Sequence, residues 1–219
     1  MSDFSFYFSL GWEHIMSIDA LDHILFVLVL AAIYLLQDWK KVLVLVTAFT
    51  IGHSITLALS ALHIISVPTA LVEFLIPCTI VITAVSNLFQ KSFNHRAIRL
   101  NYFLALFFGL IHGLGFANTL RFILAQDQSL AWALFGFNVG LEAGQVIIVT
   151  IILLLSHFFV QVLKVPRREW VLFISAAVFS LSLQMALERL PGKEEAEPAV
   201  HIVVPATDAV ARLHKGDNR

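Results

Sequence analysis

Asp19, Asp22 and His23 stand at i, i+3 and i+4 in an apolar setting, a spacing that puts two carboxylates and an imidazole on one helical face. Glu13 and His14 lie just upstream, and His53-Ser54 close the run Thr-Ala-Phe-Thr-Ile-Gly-His-Ser. Glu73 follows in a third apolar block, and His112 sits in a fourth between Gly109 and Gly113. Asn138, Glu142 and Gln145 recur at i, i+4 and i+7 in a fifth, so they too share a face. Neutral imidazole nitrogen with carboxylate oxygen is a donor set suited to zinc, nickel, cobalt or iron. A divalent cation would offset buried carboxylates that otherwise repel one another or take up protons. The expected metal ligands are His14, Asp19, Asp22, His23, His53, Glu73, His112 and Glu142, supported by Glu13, Ser54, Asn138 and Gln145. That is more donors than the roughly four to six positions of one ion, so one or two ions of Ni, Co or Zn are expected. The competing reading is a buried hydrogen-bond network that only fixes helix packing. It is disfavoured because each ionisable group at membrane depth costs about 2.5–3.5 kcal/mol on insertion scales.

The elements that must position these groups are membrane helices. Of 219 residues, 59% are hydrophobic and only 13% charged, against about a quarter charged in soluble domains, and the mean hydropathy is +0.86. The apolar residues come in blocks that reach the roughly 20 residues needed to cross a 30 Å hydrocarbon core. The expected fold is all-α: a polytopic transmembrane bundle with spans near 18–37, 42–64, 67–89, 100–124, 131–160 and 170–188. The organisation is an N-terminal interfacial or re-entrant segment over 1–17, a transmembrane domain over 18–188, and a polar tail over 189–219 expected to be flexible. Residues 1–17 hold no Lys or Arg and no h-region, so no cleavable signal peptide is expected.

Basic residues fall in alternate connections: Lys40 and Lys41, then Lys91, Arg96 and Arg99, then Lys164, Arg167 and Arg168. By the positive-inside rule these connections are cytoplasmic and both termini lie outside, in the periplasm if the membrane is a bacterial inner one. Glu73, Asp22 and His23 then fall in the outer third, and His53, His112 and Glu142 near the middle. Gly136, Gly140 and Gly144, like Gly109 and Gly113, recur every four residues, as close helix packing in a bilayer requires. Pro68 and Pro77 are placed to start and bend the third span near Glu73. Trp12, Trp39, Trp132 and Trp170 fall near span ends as an interfacial belt, and Glu188 and Arg189 read as topology anchors. His63, His95, His157, His201 and His214 fall in loops, span ends or the tail and read as solvated or interfacial. The single Cys78 excludes an internal disulfide and a thiolate cluster. The net charge of -1 offers no basis for nucleic-acid binding.

The motifs carry a resemblance. Glu13-His14-Ile15, Asp22-His23-Ile24-Leu25-Phe26, the run from Thr47 to Leu57 around Gly52-His53-Ser54, Val72-Glu73, the run from Gly109 to Phe116 around His112, and the run from Phe137 to Gln145 around Glu142 resemble the HupE/UreJ membrane protein family. The resemblance covers nearly all of the membrane domain in the same order. It implies an accessory role beside hydrogenase or urease, as a nickel or cobalt permease. Asp22-His23 is also similar to the end of the His-x4-Asp-His signature of nickel/cobalt permeases. Here seven residues separate His14 from Asp22, and Asp19 is the acid at the x4 position.

Three functions remain open at this level. A permease would exchange the water of a divalent ion for these ligands and release it inward; no nucleotide-binding motif is present. A membrane-embedded metal-dependent hydrolase would hold the ion and activate water at a site open to the outside, with Glu73 or Glu142 as base and Ser54 assisting. A metal-holding sensor or accessory subunit is the third. The partners expected are the metal ion and the lipid bilayer, with a homo-oligomer or an accessory complex left open.

Overall fold

The computed structural model describes residues 3–17, 20–90, 95–124 and 130–191, and side chains over most of that range. Among the described residues the chain is helical, without strands. The helices are α1 (Asp3–Met16), α2 (Leu21–Ala31), α3 (Trp39–Ala61), α4 (Thr69–Phe89), α5 (His95–Leu124), α6 (Leu130–His157) and α7 (Arg167–Glu188). A short 3-10 turn, Leu36–Asp38, leads into α3, and a π turn, Phe158–Val162, ends α6.

Four segments are long and apolar enough to cross a membrane: Leu36–Ala61, Thr69–Phe89, Leu130–Val162 and Arg167–Glu188. The α1–α2 pair qualifies jointly as a broken span or re-entrant loop, and α5 contributes the shorter apolar stretch Asn101–Phe116. The protein is therefore a multi-pass membrane protein, and the count agrees with about six spans. Large apolar side chains point outward along it, among them Val44, Ile51 and Ile55 on α3 and Ile147, Ile151 and Leu154 on α6. In a bilayer those faces meet lipid tails.

One difference from the sequence reading is local and has a physical cause. A continuous span over 18–37 is replaced by the 11-residue α2, set at 70° to α1. Such a short helix leaves carbonyls at its end and in the connection after it without helical partners, and in hydrocarbon each must find a partner within the protein. Asn87 on α4 donates to the Val29 carbonyl at 2.7 Å, Ser156 on α6 donates to that of Tyr34 at 3.1 Å, and the Arg167 guanidinium donates to that of Ile33. Three neighbouring helices thus supply what a longer helix would have supplied itself. Trp170 also departs from a belt role: it is buried and stacks on Phe159 at 5.0 Å.

Two crossings hold the bundle together at backbone contact. On α6, a Cβ added at Gly140 would run into the Phe8 carbonyl and stand 3.0 Å from the Trp12 nitrogen, and Gly11 meets Phe137 and Leu141 in the reciprocal way. Contacts advance in step, Gly136 with Phe4 and Tyr7, Gly144 with Ile15, so α1 runs parallel to α6. The α3–α5 crossing has the same form. Gly109 faces Phe49 and His53, and Gly113 faces His53 and Thr56, so these two helices are also parallel. Hydrocarbon offers no hydrophobic drive between helices, so close packing of small residues carries the association.

Valine at Gly140 or Gly113 must therefore force the paired helices apart, at about 1–3 kcal/mol or more. Both variants are expected to lower the thermal midpoint in detergent, whereas the outward-facing Ile151→Ala leaves it nearly unchanged. A melt of Gly140→Val matching wild type would refute the backbone contact.

Candidate metal centre

Four histidines from four helices converge where these crossings meet. His14 ends α1, His23 starts α2, His53 lies on α3 and His112 on α5. The His14 and His23 ring centroids are 4.8 Å apart, as are those of His23 and His112, and His53 lies 6.1 Å from His14 and 6.4 Å from His23. One donor nitrogen from each of His14, His23 and His53 falls within 4.8 Å of the others. Phenylalanines wall the cluster: Phe116 lies 4.2 Å from His14, Phe49 5.3 Å from His112, Phe26 5.5 Å from His112, and Phe137 stacks on His53 at 6.0 Å.

The donor chemistry can be read from what these rings lack. His14 Nε2, His23 Nε2 and both ring nitrogens of His53 and His112 are buried without a hydrogen-bond partner. Burying a polar atom unpaired costs about 1–3 kcal/mol. Six such atoms on four clustered imidazoles are a poor packing network and a good ligand set. Three nitrogens around one ion at 2.0–2.1 Å would stand about 3.3 Å apart, so side-chain rotations of an ångström or so close the observed spacing. The residues present fit a divalent transition metal.

Asp22 sits behind His23. Its Oδ1 accepts from His23 Nδ1 at 3.0 Å and from the His23 backbone N–H at 2.8 Å. A carboxylate only accepts, so the proton is held on Nδ1 and Nε2 is left as the open donor, the usual outer-shell arrangement for a ligating histidine. The other oxygen, Oδ2, faces Arg189 at 3.4 Å.

Beside the histidines lies an open cavity of about 450 Å³, lined by His14, Ser17, Asp22, His23, His112 and Arg189, with Glu73 among its other walls. Arg189 also reaches the Glu73 backbone carbonyl at 3.5 Å. That carbonyl is free for a reason written in the chain: Pro77, four residues on and inside α4, has no N–H to donate to it. Arg189, read from sequence as a topology anchor, is thus part of the cavity. No signal in the local sequence marks it, since it meets Asp22 across 167 positions.

Other expected residues are placed differently. His53 is fully buried behind the cavity histidines, with Asn138 beside its ring. Glu142 stands away from the cavity and accepts from Thr47 Oγ1 at 2.6 Å, and Gln145 accepts from Thr50 Oγ1 at 3.0 Å. Those two pairs form a polar seam between α3 and α6. Ser54 donates to the Thr50 carbonyl of its own helix at 2.6 Å, and Glu13 is exposed. Asp19 lies outside the described residues. His63 and His157 are exposed; the side chains of His95, His201 and His214 are not among those described.

Comparison with known proteins decides the family. The HupE / UreJ protein family model matches residues 1–189. The chain belongs to the HupE/UreJ family. No match was found among curated proteins or among solved structures. The match takes in every HupE/UreJ helix described above together with all four clustered histidines.

An ion held by these rings would be lost with any one of them. His23→Ala and His53→Ala are expected to abolish stoichiometric divalent metal in purified protein, measured by mass spectrometry of the eluted metal. Asp22→Asn should bind 10- to 100-fold more weakly, the usual loss when an outer-shell partner of a metal histidine is removed. Wild-type affinity in Asp22→Asn would exclude the orienting role.

Proposed function

We propose that the protein is a membrane permease for a divalent transition metal, nickel or cobalt foremost, with the four-histidine cluster as its intramembrane binding site. The observation that carries this reading is that polar groups continue beyond the cavity. His53 stands between the cavity histidines and the seam of Asn138, Gln145, Glu142, Thr50 and Thr47. A site built only to hold an ion has no need of such a continuation between two membrane helices.

In this reading the ion enters at the end of the bundle where α4 begins and α7 ends, near Glu73 and Arg189. By the positive-inside rule that end faces outside, in the periplasm of an inner-membrane protein. The ion exchanges water for His14, His23 and His112, passes to His53, and leaves along the α3–α6 seam toward Glu142. A doubly charged ion moving inward gains about 4.6 kcal/mol per 100 mV of membrane potential. The donors are neutral imidazoles rather than thiolates, which favours exchange over tight retention.

The second reading is a membrane-embedded metal-dependent hydrolase with the same histidines as fixed ligands. It is favoured by the floor of the cluster, where Phe26 and Phe49 stand between His112 and a void of only about 10 Å³.

Uptake of ⁶³Ni into proteoliposomes with an inside-negative potential separates the two. The permease reading expects uptake in wild type, less than a tenth of it in His53→Ala, and several-fold slower uptake in Glu142→Gln with bound metal at equilibrium unchanged. Stoichiometric metal without uptake in wild type would overturn the permease in favour of a fixed centre.

A further inference from the structure

A guanidinium at the mouth of a cation site is unexpected, because it repels the ion the site is built to take. Arg189 lines the cavity together with His14, His23 and His112, one carboxylate away from His23. Its contacts are long, 3.4 Å to Asp22 Oδ2 and 3.5 Å to the Glu73 carbonyl, and both use the same nitrogen. A guanidinium has five N–H donors in a planar fork; among the described residues nothing else engages the rest of that fork, and a third of the side chain stays exposed.

Size points the same way as charge. A hydrated divalent ion with six waters occupies roughly 180 Å³ at about 30 Å³ per water, whereas the cavity holds about 450 Å³. Small residues make the extra room: Ser17, Ala20 and Gly115 are all lining residues. A monoanion carried with the ion would offset the repulsion between that ion and the guanidinium, and a carboxylate is the group whose geometry matches the arginine fork.

We propose that the cavity takes the metal as a complex with a small monoanionic, carboxylate-bearing chelator, whose carboxylate pairs with Arg189 while the ion meets the histidine nitrogens. This rests on the metal-binding reading of the cluster and deepens the permease reading. It adds a substrate class, a metal chelate rather than a bare aquo ion, and gives Arg189 a role in recognition.

The test uses full-length protein in detergent and picolinate, a rigid monoanionic N,O-chelator, as labelled probe. Equilibrium dialysis would measure ¹⁴C-picolinate and nickel retained per protein, each with and without the other. Expected is about one picolinate per bound nickel in wild type, with little retained when nickel is omitted. Arg189→Gln should bind nickel alone more tightly than wild type, since a positive charge has been removed, yet bind picolinate at least tenfold more weakly. Should that variant fail to fold, Arg189→Lys, which keeps the charge but not the fork, is expected to hold nickel and lose several-fold in picolinate affinity. Nickel without picolinate in wild type, equal picolinate binding in the variants, or picolinate binding that ignores nickel would each overturn the proposal and leave the metal site standing. Wild-type protein that binds no nickel at all would instead remove the metal reading itself, and this inference with it.

Discussion

The site depends on two places where helix backbones touch. At Gly11 and Gly140 between α1 and α6, and at Gly52, Gly109 and Gly113 between α3 and α5, a single added carbon would collide with a neighbouring carbonyl or amide. His14 is three residues beyond Gly11, His53 follows Gly52, and His112 precedes Gly113. Three of the four imidazoles are therefore set by the closest approaches in the bundle. In a hydrocarbon medium such contacts carry the association themselves, so the forces that assemble the helices also gather the imidazoles.

The fourth imidazole depends on a different constraint. His23 stands at the start of α2, and α2 is too short to cross a bilayer. Its cost is a set of carbonyls without helical partners at its end and in the connection after it, which Asn87, Ser156 and Arg167 take up from α4, α6 and α7. The benefit is a break between α1 and α2 that brings His14 and His23 to 4.8 Å. Neither histidine could approach the other so closely on one straight helix, where residues nine apart sit about 13.5 Å apart along the axis.

Charge and hydrogen bonding grade the cluster from its mouth inward. Asp22, Glu73 and the guanidinium stand at the opening, the imidazoles come next, and the Thr50–Gln145 and Thr47–Glu142 pairs follow between α3 and α6. Asp22 links the first two layers by bonding to His23 and facing Arg189 through separate oxygens. Pro77 contributes indirectly, since its missing N–H leaves the Glu73 carbonyl free for Arg189.

Much of this was legible in the chain. Apolar blocks gave a membrane bundle of about six spans, because burying a backbone in hydrocarbon admits few alternatives to helices. His14, His23, His53 and His112 stood out because ionisable groups are expensive there, and glycines four apart marked the tight crossings. What sequence periodicity could not assign was partnership. Asp22 and Glu142 look alike as buried acids, yet one orients His23 at the cavity and the other pairs with Thr47 away from it. Arg189 looked like an anchor until the fold carried it across 167 positions to Asp22. Periodicity reports which face of its own helix a residue occupies; which helix lies opposite, and at what depth, is decided only when the glycine contacts and carbonyl ties set the helices against one another.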